Sequence, residues 1–252
     1  MESTINFRTV IADYLVAHPD AHLYFLLDHS GLLGLLRKLD SSKLHWVSLF
    51  DDTRESTALA VAPILVDVAV PGGPLPSLLL DWIAEHGAYS SVVTMLDSPL
   101  PFDMLQHRLA ARLDIKLSEE MNAMLRFFDP RILAQLRETL TPEQADAFFS
   151  VASHWWFIDR AGKLVGFKTA YTVTDGAAAP LKLSQAQEFA MVDASVADQV
   201  LALLHKHVPN LMDKIPLAER YGFASQEVFK AKKEGLESIQ AILVHVAKKL
   251  ID

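Results

Sequence analysis

Ten histidines, one serine beside an apolar run, and a few paired carboxylates are the positions where chemistry could reside. His18 and His22 have the spacing of a helical metal pair, but Pro19 between them forbids that helix. His205 and His207 are two apart on an expected helix, so their side chains diverge. No metal site is expected from them. Ser30 stands in Asp28-His29-Ser30-Gly31-Leu32-Leu33-Gly34, just after an apolar run. That is the setting of a nucleophile elbow, but the glycine that should stand two residues before the serine is Asp28. A strand-to-helix turn capped by Asp28 or Ser30 is the simpler reading. An α/β hydrolase using Ser30 with a distant histidine is the alternative function. Gly31 and Gly34 are isolated, and Gly72-Gly73 lies between Pro71 and Pro74 as a turn, so no phosphate cradle or cofactor is expected. Asp51-Asp52 and Glu119-Glu120 fall in expected loops or helix starts and read as solvated charge.

One constellation is left, and it is not catalytic. Arg126-Phe127-Phe128-Asp129-Pro130-Arg131 joins an expected strand to an expected helix. Asp129 is an N-cap by type, because its carboxylate accepts from the unpaired N–H groups of a first helical turn. Pro130 suits the first helical position, where no donor is needed. Arg126 and Arg131 flank the cap and can pair with carboxylates. Arg131, near a loop, is the expected protein-binding residue.

The elements that must hold these residues alternate. Residues 22–27, 45–50, 59–68, 91–96, 124–128, 155–158 and 163–167 have strand character. Helical spacing recurs over 6–17, 75–85, 102–113, 130–139 and after Thr141-Pro142. Gly87 is expected just past a helix end. Alternation with near-continuous apolar strands predicts an α/β lobe with a mixed, largely parallel sheet flanked by helices, over residues 1–175. Residues 174–180 are small and polar, like a linker. A smaller all-helical lobe is expected over 181–252, with Ser225 capping one helix and the last running to Ile251.

Composition limits what such a protein could bind. The net charge of −8 lacks the basic footprint of a nucleic-acid binder. The absence of cysteine excludes disulfides and thiolate metal sites within this sequence. The most apolar stretch, residues 58–66, is short of the roughly 20 residues that cross a bilayer. A soluble cytoplasmic protein without membrane insertion is expected.

Leu125 to Leu133, then Leu140-Thr141-Pro142-Glu143-Gln144, Phe148-Phe149 and Trp155, resemble the hallmark of the type VI secretion effector chaperones. Tyr24-Phe25-Leu26-Leu27-Asp28 with Gly31-Leu32, Val61-Ala62-Pro63-Ile64-Leu65-Val66, and the stretch from Leu96-Asp97-Ser98 to Leu109 are similar to its earlier motifs. Leu125 stands where the family has an aromatic residue. The resemblance spans roughly residues 22–160. It marks Arg126, Phe127, Asp129, Pro130 and Trp155 as the structural motif. It implies a non-enzymatic adaptor that binds a toxin effector in the cytoplasm. The adaptor helps load that toxin onto the valine–glycine repeat (VgrG) spike protein.

Overall fold

The computed structural model describes residues 5–51, 53–69, 72–175 and 180–251. The chain divides into two compact units, Met1–Gln187 and Glu188–Asp252.

In the first unit the elements run α1 (Phe7–Ala17), β1 (Leu23–Asp28), α2 (Leu35–Ser42), β2 (Trp46–Ser48), β3 (Pro63–Ala69), α3 (Ser77–Gly87), β4 (Val93–Asp97) and α4 (Phe102–Ala111). They continue with β5 (Asp114–Lys116), β6 (Asn122–Met124), α5 (Pro130–Thr139), α6 (Pro142–Phe149), β7 (His154–Ile158), β8 (Leu164–Lys168) and β9 (Leu181–Lys182). Single 3-10 turns follow β1 at His29–Gly31 and precede β3 at Leu59–Val61. Six strands form one sheet in the order β2-β3-β1-β4-β7-β8. The three remaining strands form a small sheet, β6-β5-β9.

The expected parallel sheet is overturned. Every neighbouring pair in the six-stranded sheet is antiparallel. The only parallel pair among the described residues is β5 with β9, in the small sheet. The reason lies in β1, which is antiparallel both to β3 and to β4. β3 and β4 therefore run the same way, as strands joined by a helix should, but β1 sits between them. Alternation predicted the connection correctly and the neighbours wrongly.

The apolar runs have the expected cause, because helices cover both faces. On one face Phe7 of α1 meets Phe25 edge-on at 5.1 Å, and α3 is tied to α1 by Arg8–Asp81. On the other face Phe127, Phe148, Phe149 and Trp155 form a continuous chain of edge-to-face contacts with centroids 5.1–5.5 Å apart. Such contacts add to the burial of rings that are almost fully removed from water. The Trp155 Nε1–H donates to the Phe149 carbonyl at 3.1 Å, so its one polar atom is satisfied.

Three local expectations are corrected. Residues 125–129 are a turn, not the end of a strand, and β6 stops at Met124. Gly87 is the last residue of α3, not a left-handed residue beyond it. A Cβ there would lie 2.7 Å from the Val93 Cγ2, so close packing on β4 is what needs glycine. Residues 59–68 are not one strand: Leu59–Val61 is a 3-10 turn, and β3 begins at Pro63, a position where its missing N–H is tolerated. Within 70–74, Pro71 lies outside the described residues, and Gly72 takes a positive φ of 74°. Of the expected linker, residues 176–179 also lie outside them.

The second unit is helical: α7 (Gln185–His207), whose first turn contains the boundary between units, α8 (Pro209–Met212), α9 (Leu217–Lys233) and α10 (Ile239–Ile251). Val200, Leu204, Met212, Val228, Ile242 and Val246 form its core. Ser225 does not cap a helix, because α9 starts at Leu217 and runs through both Gly222 and Ser225. The helix tolerates Gly222 because an interior glycine costs it only about 1 kcal/mol relative to alanine.

Candidate functional site

The turn at 126–131 is built from two buried carboxylates that each hold a half-exposed guanidinium. Asp129 N-caps α5: its Oδ1 accepts the Arg131 N–H at 2.9 Å, and Pro130 opens the helix. The Arg131 side chain folds back on the same carboxylate, with Nε 3.0 Å from Oδ1 and Nη2 2.6 Å from Oδ2. This fork-to-fork geometry is the strong form of the pair. The second carboxylate is Asp28, at the end of β1. Its Oδ1 caps the turn at His29–Gly31 by accepting from the Ser30 N–H. Its Oδ2 accepts from Arg126 Nη2 at 2.9 Å, across 98 residues of sequence. Arg126 also lies 5.4 Å from the ring centre of Phe128.

Depth separates the charges. The Asp28 and Asp129 side chains are 4% and 6% exposed, and those of Arg126 and Arg131 are 49% and 43% exposed. Each pair is neutral, but it presents its cation to solvent. Both guanidiniums are pre-positioned, so little side-chain entropy is left to lose when a partner binds. Exposed apolar side chains lie close by in the fold. The His29 N–H donates to the Ala62 carbonyl, and its ring bonds the Leu59 carbonyl at 2.8 Å. This brings exposed Leu59 and Val61 beside the Asp28 cap, with exposed Leu33 just beyond the same turn.

Ser30 is inside this cluster. Its hydroxyl donates to Asp28 Oδ1 at 2.6 Å. Among the described residues it bonds that carboxylate and no histidine. His18 stacks on Tyr14, and His22 bonds Asp67 and Tyr24. His205 and His207 are exposed. Among the described residues no group of three histidine or acidic side chains could hold a metal ion. Asp51, Glu119 and Glu120 are exposed, and Asp52 lies outside the described residues.

Two features escaped the sequence. One is the Asp28–Arg126 pair, which no spacing rule reaches. The other is Arg112, whose side chain is 1% exposed. Its Nε donates to the Phe148 carbonyl at 2.6 Å, Nη1 to the Arg108 carbonyl at 2.7 Å, and Nη2 to Asp175 Oδ1 at 2.8 Å. Burial lowers its affinity for the proton, and the Asp175 carboxylate opposes that shift. A signal existed, because Arg112 stands three residues after Leu109, at the C-cap of α4 and in line with its apolar stripe.

The phenylalanine, aspartate-proline and arginine residues of the motif thus divide by role. Phe127 and Trp155 build the aromatic layer, Asp129 and Pro130 start a helix, and Arg126 and Arg131 face outward.

Residues 23–147 match the family model described as a domain of unknown function, DUF4123. Asp28, Ser30, Arg126, Asp129 and Arg131 all lie within the DUF4123 segment, whereas Trp155 and Asp175 lie beyond it. No curated protein and no solved structure matches the chain. No helix among the described residues is long and apolar enough to cross a membrane.

Proposed function

We propose that this protein is a non-enzymatic cytoplasmic adaptor that binds a type VI secretion toxin and helps load it onto the VgrG spike. The observation that carries the reading is the turn at 126–131. It lies in the DUF4123 segment and carries the motif that resembles the effector chaperones. Its arginines are held by buried carboxylates and turned toward solvent. Anchored, half-exposed arginines have the make-up of a binding surface, where arginine is enriched. In this reading Arg131 contacts the partner, and the aromatic layer keeps the turn in place.

The test is removal of this chain from its native host, followed by measurement of toxin level and secretion. Loss of one toxin, restored by the wild-type chain, is the expected outcome. Normal abundance and secretion of every spike-borne toxin would reject the reading.

A further inference from the structure

We infer that the cleft between α2 and α3, lined by Arg37, Lys38 and Trp82, docks an acidic segment of a partner protein, with carboxylates on the two cations and an apolar side chain against the indole.

The cleft has a volume of about 300 Å³ and is lined by Leu33, Gly34, Arg37, Lys38, Ser41 and Trp82. None of these residues is acidic. Lys38 Nζ lies over the Trp82 ring, 5.8 Å from its centre. Among the described residues neither Arg37 nor Lys38 pairs with a carboxylate, whereas Arg8, Arg54, Arg126, Arg131 and Arg220 each do. The acids nearby in sequence leave the two cations alone. Asp81 pairs with Arg8, Glu85 lies beside His86, and exposed Asp40 makes no ion pair among the described residues. Two adjacent positive charges therefore stand unneutralised at one cleft. The net charge of −8 does not cancel them, because exposed charges more than roughly 10 Å apart are largely screened at 0.1 M salt. A carboxylate in the cleft meets both cations at short range, and a guanidinium can hold it through two parallel bonds. A basic segment would face like charge there.

The apolar part of the surface separates a protein segment from a small anion. α3 turns Leu79, Leu80, Ile83 and Ala84 into the core. Leu78 is left 88% exposed, one turn before Trp82 on the same side of the helix. Leu33, just before α2, is 91% exposed. His86, one turn after Trp82, stacks on its ring with centres 4.8 Å apart. Leu33, Leu78 and Trp82 offer apolar surface on both sides of the cations, more than a small anion would cover. A partner side chain placed on them excludes water from the cleft, and the charge pairs gain strength as water leaves. The inference rests on the adaptor reading only for which protein supplies the segment.

The test is site-specific photo-crosslinking of the full chain in its native host. A benzophenone amino acid replaces Leu33 or Leu78, or, as controls elsewhere on the same unit, exposed Met121 or Val173. The expected result is crosslinking from Leu33 and Leu78 to a segment of another protein that contains Asp or Glu. The yield should fall at least about tenfold when Arg37→Glu and Lys38→Glu are combined, which sets like charge against that segment at two exposed positions. Arg37→Lys combined with Lys38→Arg keeps both charges and should keep most of the yield. An unchanged yield in the charge-reversed pair would overturn the inference, as would an equal loss in the charge-conserving pair. So would crosslinks from the controls alone, a segment without a carboxylate, a second copy of this chain, or no crosslink at all. A toxin captured only through Met121 or Val173 would leave the adaptor reading standing while the cleft fell. An acidic segment captured from a protein unrelated to secretion would do the reverse.

Discussion

Arg112 and Arg126 both pair with an aspartate far away in sequence, yet they have opposite surroundings. Arg112 is buried, and three of its nitrogens serve carbonyls and a carboxylate that tie α4 to α6 and to Asp175. Arg126 makes one such bond and keeps half of its side chain in water. The chemistry of the pair is the same, so residue type does not separate an arginine that closes the fold from one that faces outward. The number of donors satisfied internally does.

The largest test of that contrast is Arg112→Ala. Breaking a buried pair takes the guanidinium from Asp175 and from the carbonyls of Arg108, Ala147 and Phe148, and should cost about 3–5 kcal/mol in chemical unfolding. A loss below about 1 kcal/mol would show that Arg112 is not a structural clasp. Arg126→Ala removes one charged hydrogen bond, and Asp28 keeps its two bonds from Ser30. About 1.5 kcal/mol is expected, and equal losses at the two arginines would end the comparison. Asp129→Ala should cost about 0.5–2 kcal/mol through the lost N-cap, read as a lower melting temperature. An unchanged melting temperature would remove Asp129 as a cap. Arg131→Ala should cost less than about 1 kcal/mol, because its pair is partly solvated. It should weaken capture of the toxin if the adaptor reading holds, and unchanged capture would take Arg131 out of the interface.

A smaller effect is expected with pH. Burial, and then Lys168, lower the proton affinity of His154, which is stacked on Trp156. The unfolded chain then binds the proton more readily than the folded one. Stability should fall as pH drops below the ordinary histidine value of about 6.5. His154→Phe should flatten the dependence of melting temperature on pH between 7 and 5.5, and an unaltered slope would assign it to other groups.

Much of the local structure was legible because its causes are local. Asp129-Pro130 and Thr141-Pro142 marked the starts of α5 and α6, and Thr141 with Gln144 forms a full capping box. The apolar run before Asp28 marked β1. Gly87 and Ser225 were misread because glycine and serine serve both as caps and as interior residues, and only packing distinguishes the two. Of the candidate site, Asp129, Pro130 and Arg131 were legible as a capped turn. The partner of Arg126 was not, because a contact across 98 residues leaves no local trace.

By itself the sequence determined where most strands and helices lie, and that Asp129-Pro130 and Thr141-Pro142 start helices. Those properties depend on hydrogen bonds and torsions within a few residues. Tertiary structure alone decided that β1 lies between β3 and β4, which makes every neighbour in the main sheet antiparallel. It also decided that Arg112 is enclosed while Arg126 faces water. Strand order and burial arise from the packing of distant segments, and period and propensity are blind to both.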